Sequence, residues 1–359
     1  MLCTVQRLRG PLVCAVVVAA GVALGGPRES RAQELGVALF ERYVEALRQE
    51  LGIPGLSAAI VRDGTIIWEA GFGFADVERS IRPRLDTPYP IGDISQTMAA
   101  AVVLRCMEEG RFVVDDRLRR WTDVLPEPAA SVLDVLTHSS GPSRAYRYDP
   151  ARYAALTSLA DWCRQQPYAV TLADDLFDRL GMVDSVPGDA LVAAGATAPP
   201  GLGAARLARY RAIVDRMARP YQGSRRSSPR PGSYTPPELS AATGVVSTVL
   251  DLVRFDAALD DLVLLNENTL SAAWRQISID RTLRPRGLGW FVQNVGGRRL
   301  VWHFGEVPGA YSSLVLKVPE RRLTLIMLAN SDGLSAPFGL EDGDVTDSLF
   351  ATLFLRLMS

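Results

Sequence analysis

Lysine is all but missing from this 359-residue chain: Lys317 is the only one, and arginine supplies every other cationic side chain. Any chemistry that needs a lysine amine therefore runs through Lys317 or not at all. There are two histidines, His138 and His303, and no Cys-x-x-Cys pair, which argues against a structural zinc site and leaves no metal or cofactor expected. A formal net charge of −1 gives no electrostatic footprint for a nucleic-acid partner. Long apolar runs are also scarce. The one at residues 11–26, "PLVCAVVVAAGVALGG", is sixteen residues long, glycine-rich and short for a membrane span. Arg7 and Arg9 precede it, and "PRESRA" follows with small residues at Ser30 and Ala32. This order reads as a secretory signal over 1–32, so the chain is expected to be exported, periplasmic or secreted, with no stable membrane span after cleavage. Export would leave Cys106 and Cys163, either joined in an oxidising compartment or buried as two free thiols.

What is present is enough for a sizeable core, with 48% apolar and 22% charged residues. A helical start at 35–51 leads into "IPGLSAAIVRDGTIIWEAGFGFAD", where β-rich runs at 56–62 and 65–71 flank the turn pair Asp63-Gly64. From Asp93 the apolar positions Ile94, Met98, Val102 and Cys106 follow helical spacing, and Gly110 stops it. Residues 131–182 read as mainly helical. The Pro-, Gly-, Ser- and Arg-rich stretch 219–237 reads as a solvated loop rather than a binding patch. Further helix resumes near 245. Three strand-like runs follow, at 298–305, 311–318 and 322–330, before a closing helix at 344–358. Strands bracketing a helical middle predict an α/β (α+β) fold: a five-stranded antiparallel sheet, flanked by terminal helices, with an inserted all-helical subdomain. The expected division is an α/β sheet part at 33–92 and 241–359 and a helical part at 93–240.

Several ordered blocks, "IPGLSAAIVRDG", "YPIGDISQT", "VLTHSSG", "YDPARYAAL", "GLGW" and "HFGEVPGAYSS…NSDG", resemble the serine β-lactamase and penicillin-binding-protein superfamily. The likeness is to its branch of class C-like enzymes, D-Ala-D-Ala carboxypeptidases and esterases, and it spans about residues 36 to 355. It implies a β-lactamase/transpeptidase-like fold and a cleft carrying three clusters. A Ser-x-x-Lys at a helix start supplies nucleophile and amine one turn apart. A Tyr-x-Asn loop supplies a phenol and an amide. A Lys/His-x-Gly strand supplies a further polar group, with backbone N–H groups nearby as the oxyanion hole.

The carry-over is uneven. In "IGDISQTM" Asp93 stands at the serine position and Gln96 at the lysine position. Tyr148 keeps the tyrosine, but Pro150 replaces the asparagine. His303 and Gly305 remain, with Phe304 between them where Thr or Ser is usual, and Glu306 follows. The sequence contains no Ser-x-x-Lys anywhere, because Leu314 stands three residues before Lys317. An aspartate attacking a carbonyl would form a mixed anhydride and would set a fixed anion beside the developing oxyanion. Asp93 reads better as the N-cap of the helix that follows. Tyr148 and His303 are candidate catalytic groups that also have structural readings, and His138 reads as fold architecture. The expectation is a pseudoenzyme that binds a small, cell-wall-like ligand or a protein partner. The competing expectation is a β-lactamase, carboxypeptidase or esterase with altered catalytic residues.

Overall fold

The computed structural model describes residues 27–359, apart from 198, 224–228 and 280, with side chains from residue 35. The apolar run on which the expected secretory signal rests lies outside the described residues. Among those described, no helix is long and apolar enough to cross a membrane.

Helix α1 (Pro27–Glu50) leads into strands β1 (Gly55–Arg62) and β2 (Thr65–Gly73). Asp63 and Gly64 take φ of 50° and 72°, the left-handed pair that a two-residue hairpin turn needs. Far along the chain come β3 (Phe291–Val295), β4 (Arg298–Val307), β5 (Tyr311–Val318) and β6 (Leu323–Ala329). The sheet runs β2-β1-β6-β5-β4-β3, antiparallel throughout. It therefore has six strands, one more than expected. Strand β3, "FVQNV", has only five residues and carries Gln293 and Asn294, so no apolar alternation announces it; its pairing of Phe291 with Trp302 fixes it to β4.

Both faces of the sheet are covered, which explains why β1 and β6 read as nearly continuous apolar runs. Leu56, Ala58 and Ile60 of β1, with Leu325 and Met327 of β6, pack toward α1 and the closing helix α5 (Leu349–Leu357) through Phe40, Val44 and Phe354. Ala59, Val61, Ile326 and Leu328 face the other way. There they meet α2 (Ser95–Glu108) and α4 (Val249–Asp260), in a core that also takes in α3 (Leu156–Arg164). Cys106 of α2 and Cys163 of α3 form a disulfide, with Cα atoms 6.3 Å apart. The insert is not purely helical: Tyr221–Gln222 pairs with Arg230–Pro231, and Tyr89–Pro90 pairs with Val246–Ser247 at its base. Period two along β4 sends Trp302 and Phe304 into the cluster beneath the terminal helices. His303 faces the opposite way, beside Ile94 and Thr97 at the start of α2.

Candidate functional site

The start of α2 and the end of β4 cross at backbone distance. Gly92 has φ of +54°, and a Cβ there would lie 2.8 Å from the Glu306 nitrogen; a Cβ on Gly305 would lie 2.0 Å from the Ile91 carbonyl oxygen. Only glycines permit this approach. It sets Asp93 and Gln96 next to His303 and Glu306.

Asp93 is not an N-cap. Residues Gly92–Ile94 form a 3₁₀ turn that runs directly into α2 at Ser95, and neither element receives a side-chain cap bond. Ile94 is already helical (φ −57°, ψ −24°), so turn carbonyls take up N–H groups that a cap would otherwise serve. The Asp93 carboxyl instead lies beside the Tyr148 phenol, which acts to lower its pKa.

Beside that carboxyl, Tyr148 and four further side chains form one hydrogen-bonded network. Gln96 Nε2 donates to Tyr148 Oη at 3.2 Å. His138 Nδ1 accepts the Asp149 N–H at 2.9 Å, which leaves the ring proton on Nε2 to donate to Gln96 Oε1 at 3.0 Å. His303 holds the opposite tautomer. Its Nδ1 donates to the Phe304 carbonyl at 2.6 Å, and its bare Nε2 faces both terminal nitrogens of Arg286 at 3.4 Å. Arg286 Nη2 also reaches Gln96 Oε1 at 3.4 Å. The proton directions therefore run from His138 and Arg286 onto Gln96, and from Gln96 onto the Tyr148 oxygen.

Arg286 is fully buried, lies 4.4 Å over the Phe291 ring and 5.8 Å from that of Tyr148, and has no partner for Nε. The turn after it brings it there. Gly289 (φ +95°) presses on α2 so closely that a Cβ would lie 2.2 Å from that of Ala100, one turn beyond Gln96.

Burial dominates the electrostatics. The Asp93 carboxyl is raised from 3.8 to about 7, chiefly by desolvation and further by Glu306, against the Tyr148 hydrogen bond and the Arg286 charge. Both imidazoles are pushed well below the usual histidine range by burial and by Arg286, so they are neutral. Burial and Asp93 push the Tyr148 phenol well above its ordinary value, so it stays protonated. No group in the network is a free base for a hydroxyl nucleophile.

The remaining expected residues contribute less. Pro150 is the first residue of the short helix Pro150–Tyr153, capped by Asp149, and offers no donor where an amide would be. Phe304 packs on Tyr148 and Phe291, with ring centroids 5.3 and 5.8 Å away. Glu306 is half-buried, and the Ser335 hydroxyl donates to the adjacent Gly305 carbonyl at 3.4 Å. Lys317 is elsewhere, locked between Asp256, Asp260 and Thr324 at 2.8 to 3.1 Å. Serines around the site are bonded to backbone: Ser95 to the Gly92 carbonyl (2.7 Å), Ser313 to that of Ile91 (2.8 Å). Among the described residues no group of three metal-ligating side chains could hold an ion. The loop carrying Tyr148 is fastened across the cleft by Tyr146 Oη to the Glu341 carbonyl and Arg284 Nη2 to the Arg144 carbonyl, both 2.6 Å. Outside that loop lies a hollow of about 380 Å³ lined by Glu127, His138, Ser140, Tyr146, Arg147 and Arg152, among others.

The sequence reading missed Arg286 altogether and gave His138 no chemical partner. The available signal for the first was an arginine directly before "GLGW", the block whose second glycine touches the nucleophile helix.

Residues 40–346 match the Beta-lactamase family, and the chain belongs to that family. The D-aminopeptidase of Brucella anthropi is 25% identical over 327 residues, covering 82% of this chain and 59% of that protein. That of Brucella canis is 24% identical over 335 residues, covering 84% and 61%. The chain thus spans about three fifths of the length of these curated relatives. Among solved structures, the octameric penicillin-binding protein homologue from Pyrococcus abyssi superposes with a TM-score of 0.70 at 20% identity, over 89% of this chain and 77% of that one. The D-amino acid amidase of Ochrobactrum anthropi SV3, complexed with L-phenylalanine amide, gives 0.66 at 20% identity, over 89% and 99%. The fold is therefore shared with the penicillin-binding protein homologue and the D-amino acid amidase.

Proposed function

We propose that this chain is an exported, non-hydrolytic member of the β-lactamase family, a pseudoenzyme that binds a small cell-wall-like ligand or a protein partner. One observation carries the reading: where the family resemblance expects a serine stands a buried carboxyl, and where it expects a lysine stands an amide already bonded to Tyr148 and His138. A nucleophilic serine needs a base to take its proton and a site that welcomes negative charge on the substrate oxygen. Here the base position is an amide, both imidazoles are spoken for, and Asp93 and Glu306 would repel an oxyanion. The relatives' names, D-aminopeptidase, D-amino acid amidase and penicillin-binding protein, support a ligand built from amino-acid amides or D-residues. The hollow beside His138 and Tyr146 offers room for one. Export is supported by the N-terminal pattern and by the Cys106–Cys163 disulfide, a bond that persists in oxidising compartments.

The rival reading is a hydrolase with altered residues. It draws on the near-neutral carboxyl of Asp93, a value suited to acid–base work. Intact-mass analysis after incubation with a fluorophosphonate and a penicillin, alongside turnover of small esters and a chromogenic cephalosporin, separates the two. The non-hydrolytic reading predicts no adduct and no turnover above background. A stoichiometric adduct on a cleft serine, or ester turnover abolished by D93N, overturns it.

A further inference from the structure

The buried cation of this site does not come from the helix that carries Asp93. Gln96 occupies the place of the amine, one helical turn after Asp93, and its Oε1 receives Arg286 at 3.4 Å from a segment 190 residues further along the chain. Arg286 has the properties of a charge built into the site rather than a surface arginine that strayed inward. It is 0% exposed, it faces the lone pair of His303 Nε2, and it stacks on Phe291. It is missing from the ion pairs of the described residues, and its Nε lacks any partner. A buried guanidinium held this way is costly, and its neighbours are arranged to bear it: both imidazoles stay neutral, and Gln96 presents its oxygen rather than its NH₂.

We infer that Arg286 is the positioning residue of this site: it supplies from the "RPRGLGW" turn the positive charge that Ser-x-x-Lys chemistry carries at residue 96, and it bars an amine from that position. The inference deepens the non-hydrolytic reading and rests on it. Its consequence is specific. Restoring the serine and lysine alone does not rebuild a nucleophile, because an ammonium at residue 96 would sit within hydrogen-bond distance of a second, permanent cation in a desolvated pocket. Arg286 must leave as well. Once it does, the introduced amine can take up a proton without setting a second cation beside a permanent one, and Asp93's replacement, a hydroxyl, can react. With a fluorophosphonate the Oγ–P bond forms, the P–F bond breaks, fluoride departs, and the hydroxyl proton passes to the amine.

The test uses the full chain in two arms. In the first, urea midpoints are measured for wild type, Q96K, R286Q and Q96K/R286Q. Contacting residues do not add, so Q96K should lower the midpoint about threefold further with Arg286 present than without it. Equal losses in the two backgrounds overturn the inference; R286M replaces R286Q throughout should R286Q not fold. In the second arm, fluorophosphonate labelling is followed by intact mass. D93S/Q96K should stay unlabelled, while D93S/Q96K/R286Q should label at least about tenfold faster. Detectable and equal labelling of the two overturns the inference, and if neither labels the midpoints decide. Labelling of the wild type bears on the non-hydrolytic reading alone, so the two failures are distinguishable.

Discussion

Replacing Asp93 with asparagine should change how the protein's stability depends on pH. The carboxyl is 8% exposed, and its pKa in the folded chain is raised from 3.8 to about 7, with burial the largest cause. A raised carboxyl means that the folded state keeps a proton that the unfolded chain has already lost. Stability therefore falls as pH rises through the window from the unfolded value to about 7, and levels off above it. With an unfolded value near 3.9, the loss between about pH 5 and about pH 8 amounts to roughly 2.5 kcal/mol from this one group. Asparagine is nearly isosteric and carries no charge, so D93N should lack that loss. Glu306, also raised by burial, remains in both proteins and cancels to first order in their difference. Urea unfolding of wild type and D93N at several pH values gives the difference directly. Parallel curves would show that Asp93 does not titrate in this window. A wild type that gains stability over D93N as pH rises would show that the Arg286 charge outweighs desolvation, which reverses the sign argued here.

Y148F removes the hydroxyl that accepts from Gln96 Nε2 and leaves that buried amide short of a partner. It should cost about 1–3 kcal/mol in urea unfolding, and a cost near zero would mean that the Gln96 amide re-pairs without it. K317M strands the Asp256 and Asp260 carboxylates beneath the sheet and should cost about 3–5 kcal/mol, also read from urea unfolding. A loss comparable to that of a surface ion pair would show that the cluster is solvated.

Much of the architecture was legible because local rules and burial agree. The Asp63-Gly64 turn between two apolar runs announced the β1–β2 hairpin, and β5 and β6 announced themselves by β-rich composition. Strand β3 did not, since its identity depends on pairing with β4 rather than on its own five residues. The closing helix begins at Leu349, after a Ser348 cap, five residues later than its apolar pattern suggested. The site was legible in its members but not in its wiring. Asp93, Gln96, Tyr148 and His303 do come together, yet the N-cap role assigned to Asp93 fails because a 3₁₀ turn precedes the helix. Arg286 was overlooked because its only local mark is its place directly before "GLGW"; a glycine turn against Ala100 carries it inward from far along the chain. His138 looked like scaffold, and only the Asp149 N–H on its Nδ1 shows that its other nitrogen orients Gln96.

The central claim is that no nucleophile is assembled in this cleft. Intact-mass analysis of the unaltered protein after prolonged incubation with excess fluorophosphonate, and separately with penicillin, tests it most directly. The account predicts an unchanged mass with both reagents, because Asp93 holds the nucleophile position and the hydroxyls of Ser95 and Ser313 are bonded to backbone carbonyls. A single stoichiometric adduct mapping to a serine beside Tyr148 or His303 would contradict it.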